Sequence, residues 1–531
     1  MNIPLTPVRF LRYAEQQFAD RTAVVCQEQR FTYTQLADRC ARLAGALRAT
    51  GVQPGDRVAF LSANCHRLLE ACFGVLDAGA VLQPLNYRLS GQELSYVLNH
   101  SAASILFLGQ EFLGLVDSFR HELPNLRSYY VLDAKPAATW VDRRNYDDLL
   151  AAVTPYRSEI TNFDEDSLAE LLYTSGTSAR PKGVMLTHRN IYLHAVHVAL
   201  QHHTESGEAF LHTIPLFHAN GWGAAHMVTF LGGSHVMIPR FVPQEVFCQV
   251  ERERVRKLSL VPIMAAALVN CPDRDKYDLS SLEWVTIGGA ASSPSLIREV
   301  EQKLGCRAFS GYGLTECAPS LATAELKVGV QCDLEQRYLL QSMTGYAFPG
   351  VELRVVDSED HDVPHDGKTI GEVIARSDSV MSGYWNQPEE TAEALRGGWF
   401  RTGDMAVIVE NGYIVILDRK KDMIVSGGEN ISSLEVEKIL LGHPAVQEAA
   451  VIGVKDEKWG EAPKGCVVLK PGDSVTEDEL IDFCRARMAH YKCPQSIDFF
   501  ESLPKTGTGK VLRRELRQQY AKQQVTLRST F

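Results

Sequence analysis

The sequence has no Cys-x-x-Cys pair, although it carries twelve cysteines. The closest two, Cys65 and Cys72, do not stand at zinc-ligand spacing. Scattered thiols in a long chain read as buried or free, in a reducing compartment. Long apolar runs are missing too: no stretch reaches the ~18 residues of a membrane span. The opening MNIPLTPVRFLRYAEQQF lacks the apolar core of a signal peptide. The closing RSTF matches neither a prenylation box nor a peroxisomal tripeptide. A cytoplasmic protein is expected. Positive charge is in deficit, with Lys+Arg at 54, Asp+Glu at 65 and a net charge of −11. That argues against a general nucleic-acid binder, which needs a basic face. A small phosphate ligand needs only one local pocket and stays open. There is also no fixed-period repeat and no low-complexity tract.

What is present is the composition of a soluble globular protein, 45% apolar and 22% charged over 531 residues. Helical and strand-like patterns alternate through the first ~400 residues, which predicts an α/β fold of βαβ-type layers. Thr34 to Arg48 is an amphipathic helix with Leu36, Cys40, Leu43 and Leu47 on one face. Residues 56–61 read as a strand, His66 to Ala78 as a helix, and residues 80–85 as a second strand ended by Pro84. After Leu168 the pattern predicts strand, glycine-rich loop and then a helix from about Asn190. The composition changes at the charge cluster Asp418-Arg419-Lys420-Lys421-Asp422. Beyond it the chain is long enough for a small α+β domain, with capping-box starts at Ser432–Glu435 and Thr476–Glu479. The expected division is 1–418 and 419–531.

The glycine-rich loop is YTSGTSARPKG, Tyr173 to Gly183. Most Gly/Ser/Thr loops are plain turns. This one also carries Arg180 and Lys182, and backbone N–H groups beside cations cradle phosphates. It is not a P-loop: Lys182 has the right offset from Gly176, but Pro181 stands for the second glycine and Gly183 for the metal-binding hydroxyl.

YTSGTSARPKGVMLTHRN resembles the signature loop of the adenylate-forming superfamily, which holds acyl-CoA synthetases, luciferase and peptide-synthetase adenylation domains. Four more motifs follow in the family's order: GYGLTE (311–316), WFRTGD (399–404), LDRKKDMIVSGGENI (417–431) and PKTGTGKVLRREL (504–516). The resemblance implies a large N-terminal domain of layered sheets with a small β-barrel-like part, and a small mobile C-terminal domain. It implies activation of a carboxylic acid by ATP and Mg²⁺ to an acyl-adenylate, then transfer to coenzyme A. Joining an anionic acid to a triphosphate needs concentrated positive charge and oriented donors.

By resemblance, Thr174, Ser175, Gly176, Thr177 and Lys182 hold the β and γ phosphates. Tyr312 lies against adenine, with Gly289 and Ala290 as a small-residue wall. Thr315 bonds the α-phosphate, and Glu316 holds magnesium. Asp404 accepts the ribose hydroxyls, and Arg419 is a second ribose or phosphate contact. Lys510 is the catalytic lysine of adenylation, carried on a glycine-flanked tip. Lys421 falls at the hinge about which the C-terminal domain rotates. Ser426, Gly427 and Gly428 line the pantetheine tunnel, with Trp459 and Lys492 toward the nucleotide end of CoA. Cys493 and Gln495 stand where some relatives place basic residues.

PLFHANGWG (215–223) corresponds to the family's acid-site segment. His218 resembles the aromatic gate near the reacting carboxylate, so Lys510, His218, Thr315 and Glu316 form the expected catalytic set. Trp222 and Gly223 border the acyl pocket, with Cys317 at its far side. No aspartate follows His218 to hold a substrate ammonium, which argues against amino acids. The expectation is an acid–thiol ligase for a medium- or long-chain fatty acid. The alternatives are an aryl or short substituted acid, or a carrier protein as acceptor. A nucleotide-binding regulator without catalysis predicts a missing Lys510 or Glu316, and both are present. A homodimer is plausible from the family alone.

Overall fold

The alternation of apolar strands and capped helices is realised as layered sheets in a computed structural model. It describes residues 3–133, 138–174, 180–427, 429–456, 458–505 and 511–528, with side chains to residue 520. The chain divides into two compact units, Met1–Leu353 with Ile374–Arg401, and Arg354–Val373 with Thr402–Phe531. The expected boundary at 418/419 falls inside the second unit.

Two sheets build the first unit. One has seven strands in the order Gly383–Tyr384, Lys182–Thr187, Leu168–Thr174, Val81–Leu85, Arg57–Leu61, Ile105–Leu108, Ser128–Val131. The other has nine, in the order Tyr346–Ala347, Ser320–Thr323, Arg307–Gly313, Trp284–Ile287, Lys257–Leu260, Ala209–His212, Ser234–Met237, Thr22–Cys26, Gln29–Thr32. Their central strands are parallel, as βαβ crossovers require. The helix Tyr33–Ala49 starts at a full capping box between Thr32 and Gln35. It buries Leu36, Cys40, Leu43 and Leu47 against helix His66–Asp77. Each fully buried leucine contributes roughly 1.5–3 kcal/mol. Close approach depends on Gly74, where a β-carbon would meet the Cys40 carbonyl oxygen at 2.7 Å.

Two sequence expectations are corrected here. Pro84 lies within the strand Val81–Leu85, opposite Phe60, and does not end it. The neighbouring strand Leu168–Thr174 is in register only at Leu82 with Glu170, so the missing N–H of Pro84 interrupts no ladder there. The glycine-rich loop joins two antiparallel strands, with Thr174 opposite Lys182, and not a strand to a helix. The second strand, Lys182–Thr187, ends in a capping box of Thr187 and Asn190, which starts helix His188–Gln201.

A four-stranded sheet orders Glu352–Val356, Gly371–Arg376, Phe400–Ile408 and Ile414–Arg419. A five-stranded sheet follows in the order Glu429–Ile431, Ile424–Ser426, Gly460–Leu469, Val446–Asp456, with Ser496–Phe499 also on Gly460–Leu469. Its core holds Ile424, Val436, Leu440, Val451, Val467, Leu480 and Ile497. Thr476 and Glu479 form the expected capping box. Ser432 caps helix Ser433–Leu441, but Glu435 does not reach back to it. Its carboxylate pairs instead with Lys492 at 2.8 Å, an ion pair from 57 residues away that displaces the local bond.

Candidate functional site

In the first unit, the loop strands, the 311–317 segment and a later tyrosine meet. Lys182 begins its strand with Nζ 4.7 Å from the centroid of the Tyr384 ring. The Tyr384 hydroxyl donates to Glu316 Oε1 at 3.0 Å. The backbone of Met381 also donates to the Glu316 carbonyl, at 2.8 Å. Strand Gly383–Tyr384 pairs with Met185 and Val184, which fixes the tyrosine beside the loop. Lys182, Tyr384 and Glu316 therefore form one chain of contacts. Among the described residues Glu316 makes no ion pair with a lysine or arginine, and its Oε1 accepts from Tyr384. One carboxylate completed by substrate oxygens is a donor set that fits Mg²⁺. Ser175, Gly176 and Thr177 lie outside the described residues.

Tyr312 is half-buried on strand Arg307–Gly313, paired with Ala322, and Thr315 opens a short turn, Thr315–Cys317. Gly289 and Ala290 are exposed, and Gly289 has φ +77°. Trp222 reaches this wall from the acid-site segment. Its ring lies on the preceding glycine: a β-carbon on Gly288 would be 3.1 Å from Trp222 Cη2, and one on Gly289 3.6 Å from Cζ2. Trp222, expected at the acyl pocket, and Gly289, expected at adenine, are thus neighbours. The sequence signal missed here is Gly288, whose small size makes the contact possible.

The segment itself turns sharply. Asn64 Oδ1 accepts from Leu216 N at 2.8 Å, and its Nδ2 donates to the carbonyls of His212 and Ile214. His218 follows, with burial and the nearby Arg88 charge pushing its imidazole down to about 4, so it is neutral at pH 7. Its Nε2 has no hydrogen-bond partner among the described residues. Gly223 carries φ +79°, and a β-carbon there would fall 2.4 Å from His194 Cε1. Gly223 thus admits the His194 ring, whose Nε2 accepts from Ser320 N at 3.0 Å. Cys317 is fully buried in the core with Leu216, Ala219 and Leu321. His194 and Tyr384 were not singled out in the sequence, because each meets its partner only through the fold.

In the second unit, Asp404 stands opposite Arg419 across antiparallel strands, and Arg419 Nε lies 2.6 Å from Asp404 Oδ1. Asp404 is buried. The carboxylates of the charge cluster are turned inward, not to solvent. Asp418 accepts from Ser433 N and Oγ, each at 2.6 Å, at the start of helix Ser433–Leu441. Asp422 pairs with Arg517 at 2.6 Å, and Glu437 with Arg513 at 2.7 Å. Asp418 and Asp422 are buried, Arg419 is half-buried, and Lys420 and Lys421 are exposed. Gly427 has φ +61° and lies under Trp459, whose Cε3 would be 2.8 Å from an added β-carbon. Gly428 and Lys510 lie outside the described residues.

Comparison with known proteins gives the family of the chain. Residues 11–385 match the AMP-binding enzyme family, and residues 435–510 its C-terminal domain. A 4-hydroxybutyrate–CoA ligase of Metallosphaera sedula is 36% identical over 97% of this chain and 94% of its own. A long-chain-fatty-acid–CoA ligase of Thermus thermophilus is 37% identical over 87% of this chain and 85% of its own. The crystal structure of an anthranilate–CoA ligase with anthranoyl-AMP superposes with a TM-score of 0.86, at 28% identity over 98% of both chains. Among the described residues, no helix is long and apolar enough to cross a membrane. With one match spanning most of its length and a second over its C-terminal part, the chain belongs to the AMP-binding enzyme family.

Proposed function

We propose that this protein is an ATP-dependent, AMP-forming acid–CoA ligase whose acid is compact, a short-chain, short substituted or small aryl carboxylate. The observation that supports the size is the Trp222 ring packed against Gly288 and Gly289, read here as closing the end of the acid pocket to a long chain. The ligase of 4-hydroxybutyrate matched over 97% of the chain supports the same reading. A medium- or long-chain fatty acid is the second reading. It draws support from the Thermus relative and requires the Trp222 ring to leave its glycines.

In this reading a carboxylate oxygen attacks the α-phosphorus, and the bond to pyrophosphate breaks. A thiolate of CoA then attacks the acyl carbonyl, and AMP leaves with the electron pair of the broken C–O bond. Lys182 and Thr174 supply charge and a hydroxyl to the β and γ phosphates, with Ser175, Gly176 and Thr177 of the same loop. Thr315 bonds the α-phosphate, and Tyr312 with Gly289 and Ala290 receives adenine. Glu316, oriented by Tyr384, would hold Mg²⁺, which would supply positive charge to the phosphates. Asp404, with Arg419, takes the ribose hydroxyls. His218, neutral, borders the reacting carboxylate without adding a competing charge. Lys510 bridges acid and phosphate during adenylation only. Rotation about Lys421, between residues 1–418 and 419–531, then brings Gly427 and Gly428 to the thiol. A cytoplasmic location fits the free cysteines, and a homodimer stays part of the proposal.

The test is acid-dependent exchange of labelled pyrophosphate into ATP without CoA. Exchange with butyrate or 4-hydroxybutyrate well above that with palmitate supports a compact acid. Exchange with palmitate alone favours the second reading. No exchange with any acid refutes both.

A further inference from the structure

The acid-site segment contains a backbone conformation that its residue types do not favour. Ala219, Asn220, Gly221, Trp222 and Gly223 have φ of 41°, 54°, 64°, 60° and 79°. Five residues in succession are left-handed, and three of them carry β-carbons. Single asparagines visit this region, but alanine and tryptophan do so only when their surroundings impose it. The turn is closed by Gly221 N and Trp222 N donating to the His218 carbonyl, at 3.0 and 3.2 Å, and Gly223 N to Ala219 at 2.8 Å. It therefore sets the directions of both His218 and Trp222.

What imposes the turn lies behind it. Asn220 is buried, and its Nδ2 donates to Glu170 Oε2 at 2.5 Å. Cys72 Sγ approaches Asn220 Oδ1 at 3.8 Å from helix His66–Asp77. Glu170 is wholly buried in strand Leu168–Thr174, four residues before Thr174. Its second oxygen faces His226 Nε2 at 3.7 Å, on helix Ala224–Phe230, which begins where the turn ends. Glu170 Oε1 and both His226 nitrogens have no hydrogen-bond partner among the described residues. A carboxyl in an apolar strand is a costly filler, and leucine would pack the space at less cost. What leucine could not do is grip Asn220.

We propose that Glu170 is a positioning residue for the acid half of the reaction: by holding Asn220 it keeps residues 219–223 left-handed and so aims His218 and Trp222 at the acid. The inference rests on the reading of the 215–223 segment as the acid site. Glu170 touches no substrate; it acts through the turn, and it joins that turn to the strand that leads into the phosphate loop.

Hydrogen exchange tests the grip without knowing the acid. Glu170→Leu and Asn220→Gly both remove the bond, and glycine keeps left-handed φ accessible. Both should speed exchange of the Gly221–Gly223 amides tenfold or more, while amides of strand Arg57–Leu61 keep their rates. Glu170→Gln, which can still accept from Asn220, should exchange like wild type. The kinetic arm measures KM for butyrate and for ATP in pyrophosphate exchange. Both bond-removing variants should raise KM for butyrate about tenfold and leave KM for ATP within twofold. Unchanged exchange at 221–223 overturns the proposal. So does faster exchange with both KM values unmoved, or a parallel rise in both, since either marks a structural role only. Wild-type enzyme inert toward every acid would instead sink the functional reading, while the exchange arm still decides whether Glu170 holds the turn.

Discussion

The indole of Trp222 lies against Gly288, with Cη2 3.1 Å from the place a β-carbon would occupy. In the proposed reading that contact limits the depth of the acid pocket. Trp222→Ala removes the ring and leaves both glycines in place. The ratio of kcat/KM for decanoate to that for butyrate should then rise at least tenfold, about 1.4 kcal/mol. An unchanged ratio would show that another wall limits the chain.

Asp404 and Arg419 form a pair in which the carboxylate is buried and the guanidinium is 31% exposed. Asp404→Asn removes the charge that the ribose reading requires and breaks the ion pair with Arg419. KM for ATP should rise about tenfold with KM for the acid unchanged, and stability should drop by about 1–3 kcal/mol. An ATP KM within twofold of wild type would remove Asp404 from the nucleotide site.

Burial pushes His194, His212 and His226 down to about 3, and His188, His202 and His218 to about 4. A base with a depressed folded pKa is protonated first in the unfolded chain. Its contribution to stability is therefore present above pH 6.5 and is lost as pH falls through the folded values. Acting together, these six predict a steep loss of thermal stability between about pH 6 and 4.5. A flat melting profile over that window would show that the rings are hydrated.

Glu170 behaves oppositely. Burial raises it from 4.5 to about 7. An acid with a raised folded pKa stabilises the fold below its unfolded value and loses that contribution as pH rises through 7. The stability of Glu170→Gln relative to wild type should therefore rise by about 3 kcal/mol between pH 4.5 and pH 8. A pH-independent difference would mean that the carboxyl does not titrate there.

Much of this architecture is legible in local signals. Thr476 caps its helix where the sequence places it, because capping depends on neighbours three residues away. The five motifs also point to the family that the comparisons show. The strand Lys182–Thr187 was not legible, since KGVMLT before a helix reads as a loop end until Thr174 pairs with Lys182. Glu435 follows Ser432 at capping-box spacing, yet Lys492 claims it. The left-handed turn at 219–223 is announced only by its Asn-Gly pair. Nothing local marks Glu170, one carboxyl among the apolar residues of LAELLYT, as the group that holds it.

The most direct test is AMP release by the wild-type enzyme with ATP, Mg²⁺ and CoA across acetate to palmitate, 4-hydroxybutyrate, benzoate and several amino acids, with acyl-CoA measured in parallel. The account predicts AMP and acyl-CoA in equal amounts, strict dependence on CoA, and kcat/KM for the best compact acid at least tenfold above that for palmitate. A maximum at palmitate with Trp222 in place would contradict the compact pocket. Pyrophosphate release that ignores CoA would contradict the ligase itself.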